Sequence, residues 1–464
     1  MKKIVFLMIA MALTACNRAQ NKTATPPETG KDAILITDVN IVDVDNGSIL
    51  ENRQIIIDSG KIKGILETVE NADGFATQID GKGKYVIPGL AEMHAHIPPP
   101  STSTERLEET LFLYLSNGIT TIRGMLGDPS HLTLREKAKK GEVLSPRIYT
   151  SSPSLNGNSV TSVEQATTKV TAYQKDGYDF LKIHPGIQLE VFNEIVRTAN
   201  EVGITLAGHV PVDVGIRHAL ESKFASIDHV DGFLEGMVPT SANVDPNDNG
   251  FFGYNFTPLA DLSKMDELVQ LSKDNKVWIV PTQSLFERWF APIGAEELLA
   301  QPEMKYMPKT TLENWKRIKT NSTGADSGFN EAQWQQFINI RRSLIKKLYE
   351  NGHGMLLGSD APQLFNVPGF SIHHEMQGML QAGLTPLQII RSGTINPALY
   401  FGMENAYGSI KEGLSADMVL INANPMEDIN ALKEISGVMI MGTWLSRETI
   451  DEKLASIAEN ASKN

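Results

Sequence analysis

The sequence has one cysteine, Cys16, among its 464 residues, so a disulfide within the chain is excluded. It also lacks long blocks of one charge, since the net charge of -13 is spread along its length. That pattern argues against nucleic acid as a partner and implies only solubility. No repeat of fixed period is present. With 41% hydrophobic and 21% charged residues, the chain can bury a large core, and disorder is expected only at its ends.

Residues 4–13 form an apolar run after two lysines, but this run is about half of the roughly 20 residues that a bilayer span needs. Residues 1–15 are therefore predicted to be a signal peptide. The segment ends in Leu-Thr-Ala-Cys, which resembles a bacterial lipobox and implies lipidation at Cys16; a cleaved signal with an incidental cysteine is the alternative. Residues 16–31 would then tether the protein to the cell envelope, in the periplasm or at the outer membrane.

Strand-like segments rich in Ile and Val occur near both ends of the chain. Asn46-Gly47 and Ser59-Gly60 supply hairpin turn signals in the first block, and segments of the same texture return at 416–421 and 437–441. We expect the two blocks to pair with one another. The predicted small β-sandwich comprises residues 32–86 and 405–450.

Strands and helices are predicted to alternate over residues 87–404. One helix can be checked by its period, because Phe192, Ile195 and Ala199 mark one face and Gly203 ends it. Eight apolar runs separated by helical segments are the count of a (β/α)8 TIM barrel, so the predicted fold class is α/β. The runs are 86–93, 119–122, 147–150, 180–183, 204–207, 226–227, 277–280 and 355–357.

Residues that can bind a metal end several of these runs. His94 and His96 are two positions apart, so both imidazoles lie on one face of a strand. Lys182 lies within an apolar run, and histidines end the next two. Because parallel strands of a barrel present their carboxyl ends at one mouth, we expect these groups to converge there. The remaining members of the set are His209, His229 and Asp360.

As a set, these motifs resemble the amidohydrolase superfamily, in particular its imidazolonepropionase-like and Xaa-Pro dipeptidase-like members. Family members commonly have aspartate two residues before the first histidine, whereas this chain has Glu92, so the surroundings of His94 are expected to differ. The resemblance covers residues 32–440 and includes Pro88-Gly89-Leu90 before His94-Ala95-His96, Asp179-Phe180-Leu181-Lys182, Gly208-His209, Asp228-His229, Gly358-Ser359-Asp360, Glu375, Ala382-Gly383-Leu384-Thr385-Pro386, and Gly408-Ser409-Ile410 with Gly413 and Ala416-Asp417.

The resemblance implies two divalent metal ions that are bridged by Lys182 as a carbamylated lysine. The physical chemistry agrees, because two dications disfavour a charged amine, and addition of CO2 turns it into an anion with two oxygens. A salt-bridged Lys182 in a mononuclear site is the alternative. Zinc suits the nitrogen-rich ligand set, with manganese and cobalt left open. The implied ligands are His94, His96 and Asp360 for one metal and His209 and His229 for the other.

The resemblance further implies metal-dependent hydrolysis of an amide C–N bond in a small molecule or a dipeptide. In this mechanism a metal-bridged hydroxide attacks, Asp360 is the proton shuttle, and His229 is the second catalytic residue. A lactone, a cyclic amide or a deaminase substrate is an alternative within the same chemistry. A non-catalytic binding lipoprotein is the alternative from another class. The membrane is expected as a partner only through the lipid anchor, and a homo-oligomer is left open.

The segment 283–335 follows the seventh run and is far longer than an ordinary βα loop. It is predicted to form a lid over the metals. Some of its aromatic side chains are expected to pack against one another as a small core of the segment. Arg288 is the predicted anchor for a substrate carboxylate, because a guanidinium group matches two oxygens, and Arg123 is the second choice. His184 lies two residues after Lys182 and could face the site, where it would bind substrate or support the ligands.

Overall fold

The fold is described by a computed structural model that covers residues 29–463. The predicted signal peptide, Cys16 and all but the end of the predicted tether lie outside the described residues. Within residues 29–463, no helix is both long and apolar enough to cross a membrane.

The described residues form sixteen strands and fifteen α-helices. The strands are β1 (Ile34–Val42), β2 (Ile49–Asp58), β3 (Lys61–Leu66), β4 (Thr77–Asp80), β5 (Tyr85–Pro88), β6 (Leu90–Ala95), β7 (Ile119–Gly124), β8 (Arg147–Thr150), β9 (Phe180–Ile183), β10 (Thr205–Gly208), β11 (Ser226–Asp228), β12 (Trp278–Val280), β13 (Gly354–Met355), β14 (Met418–Ile421), β15 (Ile435–Ile440) and β16 (Thr443–Ser446). The helices are α1 (Thr104–Ser116), α2 (Pro129–Lys139), α3 (Val163–Asp176), α4 (Leu189–Val202), α5 (Gly215–Glu221), α6 (Phe233–Gly236), α7 (Met265–Asp274), α8 (Gln283–Arg288), α9 (Ala295–Leu299), α10 (Lys309–Thr323), α11 (Glu331–Asn351), α12 (Ser371–Gln381), α13 (Pro386–Gly393), α14 (Ile395–Tyr400) and α15 (Arg447–Lys463).

Two parallel sheets contain the strands from the middle of the chain. Strands β6, β7 and β8 form one sheet, and β9 to β13 form the other in chain order. An isolated parallel bridge joins Ser151 to Phe180, and another joins Ala95 to Ala361. Helices separate most of the strands along the chain, so the arrangement is consistent with a TIM-barrel-like fold. The predicted runs from residue 119 onward overlap β7 to β13 in order.

The first predicted run, 86–93, is divided between two sheets. Strand β5 pairs with β1 and β14, whereas β6 begins the first parallel sheet. Gly89 lies between them, and a Cβ at this position would come within 2.1 Å of Thr120 Oγ1. Glycine is therefore required where the chain passes from one sheet to the other against β7.

Strands from both ends of the chain share one eight-stranded sheet, of order β16-β15-β14-β5-β1-β2-β3 with β4 paired to β1. Ile36 and Val86 from the first block and Met418 and Met439 from the last belong to one buried cluster. The two blocks thus pack on a common core, while a sandwich of two packed sheets stays a prediction. The last helix, α15, was not indicated by the sequence patterns, and it packs against α1.

Two long connections follow the carboxyl ends of β11 and β12. The first lies between β11 and β12 and consists of α6, several short 3-10 turns and α7; the second contains the predicted insertion, which forms α8, α9, α10 and the start of α11. Their aromatic rings pack together, with the centroids of Phe251 and Phe290 4.6 Å apart and those of Tyr254 and Phe337 5.7 Å apart. The two connections therefore share one aromatic core.

Candidate metal centre

Histidines from three strands converge at the carboxyl ends of the parallel sheets. His94 lies in β6, whereas His209 and His229 directly follow β10 and β11. The ring centroids of His94 and His229 are 4.6 Å apart, and so are those of His209 and His229. His96 follows β6, with its ring 5.4 Å from that of His94. The structure thus brings the four predicted histidines together.

Asp360 is the carboxylate of this cluster. Its Oδ1 atom lies 2.7 Å from His96 Nε2 and 3.6 Å from His94 Nε2, and its Oδ2 atom lies 3.9 Å from His229 Nδ1. One possible ligand atom from each of His94, His229 and Asp360 lies within 4.8 Å of the other two, which suits a shared ion. Burial would raise the pKa of Asp360, but His94 and His96 lower it below its ordinary value, so the carboxylate is anionic.

Lys182 lies in β9 with its side chain fully buried. Its Nζ atom makes no hydrogen bond and lies 3.9 Å from Asp228 Oδ2. His94 Nδ1 and Asp228 Oδ2, which are 3.0 Å apart, are also buried without a hydrogen bond. Burial lowers the pKa of Lys182 to about 8, which increases the fraction of neutral amine near neutral pH. Because buried polar atoms without a hydrogen bond are costly, these three atoms fit a site that binds ions.

The electrostatics favour neutral imidazoles. Burial lowers the pKa of His94 and His229 well below the ordinary value and lowers that of His209 to about 3. A neutral imidazole is the form of histidine that binds a metal. The centre is therefore prepared for metal ligation by its burial.

Two polar residues that the sequence patterns did not indicate orient His209 and His229. Asp231 Oδ2 lies 3.1 Å from His209 Nδ1, and Thr282 Oγ1 lies 2.8 Å from His229 Nδ1. Because the Thr282 hydroxyl donates to the Pro281 carbonyl at 2.9 Å, it accepts the Nδ1 proton of His229. Nε2 of His229 then carries the lone pair that can bind an ion.

Glu92 stands where the resembled family has aspartate, and it binds backbone and hydroxyl donors. Its Oε1 atom accepts the backbone N–H of His94 at 3.1 Å and that of Ser359 at 2.7 Å. Its Oε2 atom accepts the Ser359 hydroxyl at 2.5 Å. The carboxyl group of Glu92 therefore ties β6 to the loop that carries Asp360.

The backbone of the centre is strained at three residues. His229, Thr282 and Asp360 have left-handed φ values of 65°, 45° and 64°. Each such residue costs about 1–2 kcal/mol, so neighbouring contacts must hold it. Arg341 of α11 does so at His229, because Nη1 donates to the His229 carbonyl at 2.8 Å and Nη2 to the Pro281 carbonyl at 3.2 Å. A helix of the second long connection thus supports a histidine of the centre.

Arg341→Met is expected to lower the free energy of unfolding by about 3 kcal/mol and to weaken metal binding, because the His229 and Pro281 carbonyls lose a charged donor. Arg342→Met is the matched control, since Arg342 is partly exposed and pairs with Glu287. Denaturant unfolding and metal titration measure the two effects. Equal effects of the two substitutions would contradict this role of Arg341.

Arg123 was the second choice for the residue that binds a substrate carboxylate, but its side chain does not point out of the protein core. Its side chain is fully buried and donates from Nη2 to Asp228 Oδ1 at 3.0 Å, from Nη1 to Ser226 Oγ at 2.8 Å and from Nε to the Met93 carbonyl at 2.6 Å. Because its donors already bind the protein, the guanidinium supports Asp228. This corrects the predicted substrate role of Arg123.

Arg288, the first choice, is 6% exposed at the end of α8. Its Nη2 atom donates to the Phe365 carbonyl at 2.8 Å and lies 3.7 Å from Glu303 Oε1. Glu303 Oε1 also lies 2.8 Å from His374 Nε2. Burial lowers the pKa of Arg288 to about 10, which leaves it charged at pH 7. The side chain meets the loop after β13, and its role as a carboxylate anchor stays a prediction.

His184 borders the centre on the side of His209. Its ring centroid is 5.0 Å from that of His209, and its Nδ1 atom lies 2.6 Å from Ser154 Oγ. This position of His184 is compatible with a role in substrate binding and with a role in support of the site. Glu375, a residue of the resembled motifs, accepts the backbone N–H of Ser284 at 2.8 Å and so supports the start of α8.

The chain is similar to known hydrolases over most of its length. The imidazolonepropionase of Idiomarina loihiensis is 24% identical over 387 residues, which cover 80% of this chain and 86% of that protein. The ochratoxinase of Aspergillus niger is 22% identical over 78% of this chain and 75% of its own length.

Among solved structures, bottromycin amidohydrolase aligns with a TM-score of 0.68 at 20% identity, covering 92% of this chain and 90% of its own. A Xaa-Pro dipeptidase with bound methionine aligns with a TM-score of 0.63 at 20% identity, covering 89% and 100%.

At these identities the solved structures show a shared fold. The Amidohydrolase family itself matches residues 85–445, from β5 to β16. That range includes every residue of the centre described above. The chain therefore belongs to the amidohydrolase family, whose members hydrolyse amide and other C–N bonds.

Proposed function

We propose that this chain is a two-metal hydrolase of an amide bond and that dipeptides are its first candidate substrates. The observation that carries the proposal is the meeting of His94, His229 and Asp360 in a centre that also has the buried amine of Lys182, which makes no hydrogen bond. Neutral imidazoles, one anionic carboxylate and an amine of lowered pKa form a donor set that suits zinc.

Three of the proposed metal ligands, His94, His229 and Asp360, have possible ligand atoms within 4.8 Å of one another, and the His229 ring lies 4.6 Å from the rings of both His94 and His209. Lys182 would bridge the two ions after its neutral amine adds CO2, which forms an N–C bond and releases a proton. When bound, two such ions lower the pKa of a shared water and polarise a substrate carbonyl. The other proposed ligands are His94, His96 and Asp360 for one ion and His209 and His229 for the other.

Asp360 is the residue that moves protons in this proposal. Its carboxylate accepts a proton from the attacking water and returns it to the leaving amine nitrogen. The contact of 2.7 Å with His96 Nε2 fixes the orientation of Asp360. His229 is held by Thr282 at its ring and by Arg341 at its carbonyl, so its ring stays aligned.

We also propose that β6 to β13 close into one (β/α)8 barrel over residues 87–404, beside a small β-sandwich over residues 32–86 and 405–450. The bridges Ser151–Phe180 and Ala95–Ala361 support closure, and so does the hydrogen bond from the Met93 N–H to the Leu357 carbonyl at 2.9 Å. A crystal structure in which these edges stay apart would contradict the barrel.

A substrate panel tests the proposed reaction. The zinc-loaded protein is offered dipeptides with free and with amidated carboxyl ends, cyclic amides and lactones. Cleavage of dipeptides, with a preference for the free carboxyl end, would support both the amide reaction and a cationic anchor such as Arg288. Cleavage of lactones alone would contradict the amide reaction, and binding of metal without any turnover would favour a binding protein.

We propose that the mature chain is anchored to a membrane through lipid on Cys16. At about 0.8 kcal/mol per buried CH2, several acyl chains hold a protein stably where one chain is marginal. Cys16→Ser is expected to move most of the protein from the membrane fraction to the soluble fraction after a high-salt wash. Asn17→Ser is the control and should stay with the membrane. A Cys16→Ser protein that still sediments with membranes would contradict the anchor.

A further inference from the structure

The connection between β11 and β12 contains a pair of phenylalanines that the proposed mechanism does not use. Phe252 has a left-handed backbone with φ 50°, and Gly253 follows with φ 82°. This φ of Gly253 lies in the left-handed region, so the turn favours glycine at this position. Strained non-glycine residues of this kind concentrate at functional sites, and the conformation decides where the Phe252 ring lies.

The Phe252 ring covers the side of the metal centre formed by His209 and His229. Its centroid lies 5.2 Å from the His229 ring and 5.9 Å from the His209 ring. The buried Phe286 ring supports it edge-on at 5.2 Å. Phe252 as a whole is only partly buried.

Phe251 belongs to the aromatic core instead. Its ring lies 4.6 Å from Phe290, 4.8 Å from Trp289 and 5.4 Å from Phe286. Further along the segment, the Tyr254 hydroxyl donates to the Asn330 carbonyl at 2.8 Å, just before α11. Phe251 therefore anchors the segment in the aromatic core, while Phe252 contacts the metal centre.

Three arginines around the centre donate to other groups of the protein. Arg123 donates to Asp228, Arg288 to the Phe365 carbonyl and Arg341 to the His229 carbonyl. A substrate that approaches His209 and His229 thus meets an aromatic ring. The surface beside these two ligands suits an apolar, planar group.

We infer that Phe252 is a specificity-determining residue, which favours amides with an aromatic ring next to the scissile bond over amides with a methyl group there. Stacked or edge-on ring packing gives an aromatic substrate contact area that a methyl group cannot supply. For turnover this inference rests on the proposed hydrolase function. For binding it stands on the contacts of Phe252 alone.

Titration with hydroxamates tests the inference for binding, separately from turnover. Zinc-loaded wild type is expected to bind phenylalanine hydroxamate about tenfold more tightly than alanine hydroxamate. Phe252→Ala should reduce this ratio to about threefold or less with unchanged metal content, and Phe252→Leu, which keeps most of the apolar volume, should give a ratio in between. Phe251→Ala is the matched control and should keep the wild-type ratio. An unchanged ratio in folded Phe252→Ala, or a wild-type ratio near one, would overturn the inference.

Hydrolysis of phenylalanyl and alanyl dipeptides by the same proteins separates this inference from the proposed function. If Phe252→Ala loses the kcat/KM preference for the phenylalanyl dipeptide and Phe251→Ala keeps it, both the inference and the proposed function are supported. Hydroxamate binding with the expected ratio but without cleavage of any amide rejects the proposed function and leaves the inference standing. Equal kcat/KM for both dipeptides in wild type rejects the inference and leaves the hydrolase function standing.

Discussion

Asp360→Asn is expected to turn over substrate about 1000-fold more slowly than wild type while it keeps most of its metal. Asparagine has the same size and retains an oxygen that can bind a metal, but its amide cannot accept and return a proton at neutral pH. The contact between Asp360 Oδ1 and His96 Nε2, at 2.7 Å, holds the carboxylate in one orientation. The loss should therefore appear in kcat and only weakly in metal content.

The measurement compares kcat and bound metal in the same preparation. Asp179→Asn is the control, because Asp179 accepts the Thr150 N–H at 2.7 Å and pairs with Arg135 at the amino end of β9. That variant should keep wild-type turnover once it is folded. If Asp360→Asn turns over normally, Asp360 has no part in proton transfer.

Lys182→Ala is expected to lose metal affinity by more than about 100-fold and to lose hydrolysis with it, because the proposed bridge between the two ions would be gone. The amine of Lys182 is fully buried and makes no hydrogen bond, so its removal breaks only the ion pair of 3.9 Å with Asp228 Oδ2. Added short carboxylic acids should partly restore both metal binding and turnover by standing in for the carbamate oxygens.

Lys319→Ala is the matched control for this experiment. Lys319 is also buried, but its Nζ atom donates to the carbonyls of Arg288, Trp289 and Ala291 at 3.2, 2.7 and 2.5 Å. Its loss should lower stability without removing metal and without rescue by carboxylic acids. A Lys182→Ala protein that folds, binds two metals and turns over without rescue would show that Lys182 is not a ligand.

Much of the parallel-strand pattern could be predicted because short apolar runs and the residues that end them are local features. The runs at 147–150 and 180–183 coincide with β8 and β9, and the histidines 209 and 229 stand directly after β10 and β11. The run at 86–93 was predicted as one strand, whereas Gly89 divides it between two sheets. Period alone cannot show that division, because the steric need for glycine arises from Thr120, far along the chain.

The contacts that orient the ligands could not be predicted, because they join residues far apart in sequence. Thr282 meets His229 across 53 positions, and Arg341 meets it across 112. Neither residue has a local pattern that marks it as part of a metal centre. Phe252 was missed for a related reason, since its backbone strain and its contact with two histidines appear only in the folded chain.

The most direct test of the two-metal centre is elemental analysis of purified protein coupled to hydrolysis before and after chelation. We expect about two divalent ions per chain, loss of hydrolysis when they are removed, and recovery when zinc, manganese or cobalt is returned. His209→Ala combined with His229→Ala should bind about one ion at most. Hydrolysis that persists in metal-free protein, or a folded protein that takes up no metal, would contradict the account.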